Sequence, residues 1–255
     1  MNGYLYETHS HTSEASACGK VSGADYTDFM KKRGFQGMII TDHFFNGNSA
    51  IDRNLPWNER VAGYVSGYKK ALAAAEGKDF DVLFGVEFNF EGDEYLIYGI
   101  DEQWLLENED IMTMTRKEVY DRVHATADAV LIQAHPYRER GYLKDIKLTP
   151  EICDGIEGYN AANPDYQNAL GYQYGKKLGL PMTAGSDIHF YNDDPMGGML
   201  LPRRITDVSE YVDMIRKGEG IPVQITLDNK ITPVAEIEAL TVPTREPDLE
   251  VKYVS

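Results

Sequence analysis

The chain has 255 residues, a length that suits one large domain, and 42% hydrophobic with 26% charged residues is an ordinary globular composition. It carries 25 Lys and Arg against 41 Asp and Glu, a formal net charge of −16. A surface this acidic disfavours passive binding to nucleic acid or to an anionic membrane.

Strand and helix signals alternate along the chain. Tyr4–Thr8 is a short apolar-aromatic strand that runs into His9 and His11. Residues two apart at a strand end point to the same side, so both imidazoles can reach one point. Ser22 with Asp25 reads as a capping box and Gly34 as the stop of the helix it opens. Met38–Thr41 is a second strand, leading into Asp42-His43. Asn58 to Glu76 reads as one helix ended by Gly77, and Val82–Val86 as a buried strand running into Glu87. Tyr95–Ile100 is a fourth strand. Thr115 and Glu118 form a capping box that opens a helix to Asp128. Ala129–Ala134 delivers His135-Pro136, and Gly155–Tyr159 ends at Asn160. A helix over Pro164–Leu178 stops at Gly179, and Met182–Gly185 delivers Ser186-Asp187 and His189. Met199–Leu201 is one more short strand, followed by a helix over Asp207–Lys217. The core is expected over residues 4–220, with 221–255 as a hairpin or covering segment.

This alternation implies βαβ units and parallel pairing. Seven strands precede residue 190, with no linker or repeat among them. The expectation is a single α/β domain, nearly closed as a barrel, because ligand-type residues follow both the first and the seventh strand.

Two cysteines, Cys18 and Cys153, make no disulfide framework. No basic-then-apolar leader and no apolar run of the roughly 18–20 residues that span a bilayer is visible. A cytoplasmic, reduced setting is the default expectation. Cys153 reads as a small buried apolar residue and His124 as a helix-surface residue.

Five of the six histidines, His9, His11, His43, His135 and His189, fall just after a strand. Asp42, Glu87 and Asp187 occupy the same ends. In a parallel barrel those ends form one face, so residues scattered in sequence converge there. Imidazole and carboxylate together suit Zn, Fe or Mn. The set is too large for one tetrahedral ion, and Glu87, with two oxygens, is the natural bridge between two or three ions. Arg138, in His-Pro-Tyr-Arg, is a candidate phosphate clamp, and Asn160 a candidate donor to substrate or water.

His9-Ser-His11, Thr-Asp42-His43, Gly-Val-Glu87, Ala-His135-Pro136 and Gly-Ser-Asp187-Ile-His189 together resemble the PHP family, named for polymerase and histidinol phosphatase. The resemblance spans residues 4 to about 190. It implies a distorted (β/α)7 TIM-like barrel. It also implies one metal on His9, His11, Glu87 and Asp187, a second on Glu87 and His135, and a third on His43 and His189, with Asp42 orienting a ligand from behind. Two positions depart from the family pattern. Where the family has a histidine after the fourth strand, Glu94 and Tyr95 stand here. Where it has an aspartate or histidine after the first motif, Cys18 fits by position and Glu14 by chemistry.

The function expected is hydrolysis of a small phosphate monoester by a metal-activated hydroxide, with Asp187 and Glu87 central. Two other readings stay open: a C–N or ester hydrolase on the same metals, and a non-catalytic metal-stabilised module.

Overall fold

The computed structural model describes residues 3–191 and 194–254. Twelve strands are seen among them: β1 (Tyr4–Ser10), β2 (Gly37–Ile40), β3 (Asp81–Phe90), β4 (Asp93–Tyr98), β5 (Val130–Gln133), β6 (Asp145–Leu148), β7 (Gly155–Asn160), β8 (Met182–Gly185), β9 (Met196–Leu201), β10 (Ile221–Ile225), β11 (Ile231–Pro233) and β12 (Glu250–Tyr253). The helices are α1 (Tyr26–Lys32), α2 (Trp57–Tyr64), α3 (Ser66–Ala75), α4 (Glu102–Glu107), α5 (Arg116–Thr126), α6 (Asp165–Leu178), α7 (Val208–Arg216) and α8 (Glu238–Thr241). None is long and apolar enough to cross a membrane.

Ten strands form one mixed sheet in the order β11-β10-β9-β1-β2-β3-β4-β5-β7-β8, and β12 pairs with β6 separately. Parallel ladders join β1 to β2, β2 to β3, β5 to β7 and β7 to β8. The expectation of uniform parallel pairing fails at β4, which is antiparallel to both β3 and β5. Only Glu91 and Gly92, both at positive φ, separate β3 from β4, and a connection that short makes a hairpin.

The sheet curls until its far strand returns to its first. The Ile188 N–H donates to the His9 carbonyl (3.3 Å) and the His11 N–H to the Ile188 carbonyl (3.0 Å). The Thr8 hydroxyl donates to the Ala184 carbonyl at 2.8 Å. Gly185 permits this approach, because a Cβ there would overlap the His9 Cβ. The concave side is filled by α7: Tyr211, Val212, Met214 and Ile215 form one cluster with Tyr6, Ile39, Leu83, Leu96, Tyr98, Val130 and Ile132. On the outside, α2, α4 and α5 bury Trp57, Val61, Trp104, Val119 and Val123 against Phe44, Val86 and Phe88.

The single helix expected over residues 58–76 is broken at Val65 into α2 and α3. The Thr115–Glu118 capping box forms at the start of α5. Ser22 caps a 3₁₀ turn instead, and its hydroxyl donates to Glu14 at 2.5 Å rather than joining a box with Asp25. Residues after Gly220 do not merely cover the fold: β10 and β11 extend the main sheet beside β9.

Candidate metal centre

The parallel strands deliver their ligand-type residues to one end of the curled sheet. Backbone bridges join them directly, Ser10 to Ile188 and His43 to Glu87. The Phe44 N–H donates to the Glu87 carbonyl (2.8 Å) and the Glu87 N–H to the Asp42 carbonyl (3.1 Å). His135 and Asp187 hold positive φ, +29° and +54°, which non-glycine residues rarely adopt. Such local strain persists where surrounding structure fixes it, often at a functional site.

Glu87 lies at the centre. Its Oε1 is 3.0 Å from His9 Nε2 and 3.2 Å from His135 Nε2, and its Oε2 is 2.5 Å from His43 Nδ1 and 3.6 Å from His11 Nε2. Asp187 Oδ1 is 3.1 Å from His11 Nε2, 3.6 Å from His9 Nε2 and 3.4 Å from His189 Nδ1. His43 Nε2 and His189 Nε2 are 3.5 Å apart. Five of these atoms, His9 Nε2, His11 Nε2, His43 Nδ1, Glu87 Oε2 and Asp187 Oδ1, are buried and make no well-directed hydrogen bond, although they crowd against one another. Buried polar atoms are normally well hydrogen-bonded, so five poorly directed ones converging on one spot point to a common partner.

A cation fits that requirement. Two donors at 2.0–2.2 Å from one ion, in tetrahedral or octahedral arrangement, stand roughly 3.0–3.5 Å apart. Most of the separations above fall in or near that range. Four donor groups are close enough to hold an ion: His9, His11 and Asp187; His43, Glu87 and Glu94; His11, His43 and His189; and His9, His135 and Glu157. The mixture of imidazole and carboxylate suits Zn, Fe or Mn.

A supporting layer orients these groups. Glu157, buried on β7, accepts from His9 Nδ1 (2.9 Å), the His135 N–H (2.9 Å) and Asn160 Nδ2 (3.0 Å). With its proton on Nδ1, His9 leaves Nε2 for an ion. Asp42 acts one residue removed: it accepts from Thr12 N (2.6 Å), Thr12 Oγ1 (2.7 Å) and Ser16 Oγ (2.7 Å). Ser16 Oγ then accepts from His11 Nδ1 (3.1 Å) and the His43 N–H (3.0 Å). Glu7 Oε1 accepts from the backbone N–H of His9 (2.8 Å) and of Ser186 (2.9 Å), tying β1 to the loop after β8.

The electrostatics follow from burial and these contacts. Burial pushes the Asp42 carboxyl up to about 6 and the Glu7 carboxyl up to about 7, against their hydrogen bonds. Burial would also raise Asp187 and Glu87. Arg138 and His9 hold Asp187 well below the usual carboxylate range, and His43 and His9 do the same for Glu87. Burial and repulsion from Glu87 raise Glu94.

Several expected roles change. Tyr95 is turned away, its hydroxyl bonded to Thr149 (2.8 Å) and Asp93 (3.0 Å). Because β4 runs antiparallel, it presents its beginning at the ligand end, and residues one apart face opposite sides. Glu94 is therefore the residue facing His43 (3.8 Å) and His135 (3.5 Å). Glu14 points elsewhere too, accepting from Ser22, the Gly23 N–H and Lys70. Cys18 is the one of that pair that lines the cavity with His43 and His189. Burial opposes ionisation of its thiol, yet His189 and His43 bring it down to about 6.

Arg138 is no free clamp: its Nη2 donates to Asp187 Oδ2 (2.5 Å) and Asn160 Oδ1 (2.9 Å), and its Nε to Asn163 Oδ1 (2.8 Å). Asn160 is fully buried, and its amide is spent on Arg138, Glu157, Asp187 and the Ala162 N–H, so it faces protein rather than substrate. His124 lies on the exposed face of α5, bonded to Asp154 (3.0 Å), and Cys153 is buried.

Sequence reasoning missed Glu157, Glu7, Ser16 and Arg140. Glu7 and Glu157 carried a usable signal. Glu7 precedes His9 by two residues and shares its face. Glu157 is a lone carboxylate inside the apolar strand Gly155–Tyr159.

A cavity of about 570 Å³ opens at the cluster, lined by Cys18, His43, Glu94, Arg138, Arg140, Asp187 and His189 together with Tyr142 and Phe190. That volume suits a small organic molecule.

No family model and no curated protein matches the chain significantly. Among solved structures, it is similar to a two-domain protein from Bacteroides vulgatus containing a predicted PHP-like metal-dependent phosphoesterase. The identity is 15%, the TM-score 0.64, and the match covers 88% of this chain and 65% of that one. The chain thus spans just under two thirds of that two-domain protein. A protein from Bifidobacterium adolescentis, described provisionally as a metal-dependent phosphoesterase, is similar at 16% identity and TM-score 0.51, over 84% of this chain and 96% of that one. At such identities the likeness is one of fold, and it is the PHP-like fold that the motifs imply.

Proposed function

We propose that this chain is a metal-dependent phosphoesterase that hydrolyses a small phosphate monoester at a di- or trinuclear site built on the (β/α)7 pattern of the PHP family. The observation that carries the proposal is the convergence of five buried ligand atoms without well-directed hydrogen bonds around Glu87 and Asp187, at the wall of a cavity that also holds two guanidinium groups.

The residues that would hold the ions are His9, His11, Glu87 and Asp187; His135, Glu87 and Glu94; and His43 and His189 with Cys18. Divalent ions bound there would act as Lewis acids on phosphoryl oxygens and lower the pKa of water, the usual contribution of such sites. The rest falls to the chain. Glu157 and the Ser16–Asp42 pair fix which nitrogen of His9 and His11 faces the centre. Arg138 holds Asp187 in place. The two guanidinium groups add positive charge at the wall of the space where a phosphoryl group would sit, which favours an anion over a neutral ester or amide.

The test is a panel of phosphate monoesters, with carboxylic esters and amides alongside, assayed on protein prepared with Mn, Zn or Fe and with metal counted in the same samples. Turnover of a phosphate monoester that tracks metal content, and that is lost in a folded Asp187→Asn variant, supports the proposal. Full metal content without phosphate turnover refutes it and favours a non-catalytic module or another hydrolase chemistry.

A further inference from the structure

Arg140 is a charge in this cavity without an ionic partner. Its Nη1 donates to the Glu139 carbonyl at 2.9 Å, and among the described residues no carboxylate pairs with it. It is half-buried and lines the same cavity as His43, Asp187 and His189. Its neighbour Arg138 differs: that guanidinium is already engaged by Asp187, Asn160 and Asn163. Burial, followed by repulsion from Arg138, lowers the pKa of Arg140. A guanidinium partly withdrawn from water beside a second one is unfavourable unless an anion arrives to offset both effects.

The backbone that presents Arg140 is anchored. The Glu139 carboxylate accepts from Tyr166 Oη (2.6 Å), the Asp248 N–H (2.7 Å) and the Leu249 N–H (2.8 Å). The Leu143 N–H donates to the Arg140 carbonyl at 3.0 Å and closes the turn. The segment before β12 therefore braces the loop, and Arg140 is held at the cavity wall rather than left to swing in solvent.

We propose that Arg140 is the residue that receives the phosphate group of the substrate, and that Arg138 is a positioning residue that holds Asp187. This rests on the phosphoesterase reading above.

The experiment titrates inorganic phosphate into metal-loaded wild type, Arg140→Gln and Arg140→Lys by calorimetry. It also measures kcat and KM for p-nitrophenyl phosphate, with metal content and melting temperature recorded for each protein. Arg140→Gln is expected to weaken phosphate binding and raise KM by about tenfold or more, the loss of one charge-assisted partner. The fall in kcat should be smaller, metal content and melting temperature should match wild type, and Arg140→Lys should recover part of the affinity. Phosphate binding by Arg140→Gln within about twofold of wild type overturns the assignment while leaving the phosphoesterase reading intact. A wild type that binds phosphate through Arg140 yet hydrolyses no ester refutes the phosphoesterase reading and sustains the binding role. A wild type that binds no phosphate overturns the Arg140 assignment, and its turnover of p-nitrophenyl phosphate decides the phosphoesterase reading separately.

Discussion

Glu157 Oε1 accepts from His9 Nδ1 at 2.9 Å, so His9 Nε2 is left facing Glu87 and Asp187. A buried carboxylate behind a ligating imidazole fixes its tautomer and raises its basicity. Glu157→Gln keeps the size of the side chain but removes the charge, and is expected to weaken binding at the His9 position by about 10–100-fold. Competition between the protein and a chelator of known affinity, for Zn and for Mn, measures this. Unchanged affinity would reduce Glu157 to a structural acceptor.

Arg138 and Asp187 form the second relationship with a clear consequence. Asp187 is buried and Arg138 largely so, and the pair closes at 2.5 Å. Removing one partner of a buried ion pair strands the other, typically at a cost of about 3–5 kcal/mol. Arg138→Met should therefore destabilise the metal-free protein by about 3 kcal/mol, read from denaturant unfolding. Metal should recover much of this loss, because an ion supplies Asp187 with the positive charge it has lost. A destabilisation that metal leaves untouched would show that Arg138 serves packing alone.

The site should take up metal more tightly as pH rises. Burial opposes protonation of His9 and His43, but Glu157, Asp187 and Glu87 around the first and Glu87 beside the second raise both well above the ordinary histidine value. Without metal these imidazoles carry protons at neutral pH, and an incoming cation must displace them. Affinity should accordingly fall as pH drops and climb as pH rises through and beyond the usual histidine range. Calorimetry in two buffers of different ionisation enthalpy should show protons released on binding. Binding without proton release would contradict the ligand set.

The strand-end positions of five histidines, on four strands, were legible because strand ends and period-2 alternation are local properties. The alternation of strand and helix was legible for the same reason. The direction of β4 was not, since its apolar run reads alike in either orientation; only the two-residue turn at Glu91-Gly92 reveals it. That reversal brings the start of β4 to the site, where the strand's alternation turns Glu94 inward and Tyr95 away. Arg138 and Asn160 follow strand ends and lie beside Asp187, but the partners that occupy them come from other strands. Sequence order does not disclose that Asp187 sits close enough to take up the charge of Arg138. The distinction between Arg138 and Arg140 is likewise tertiary, because two nearby arginines in one loop differ only in what surrounds them.

The number of bound ions tests most directly whether Glu87 bridges a multinuclear centre. Elemental analysis of gel-filtered protein, prepared in the presence of Mn, Zn or Fe, should find two or three divalent ions per chain, as a bridging carboxylate implies. The same analysis on Glu87→Ala, with its fold checked by circular dichroism, should find at least one ion fewer. A wild type that holds no divalent ion, or a folded Glu87→Ala that holds as many as wild type, would contradict the central claim that Glu87 joins these histidines into a multinuclear centre.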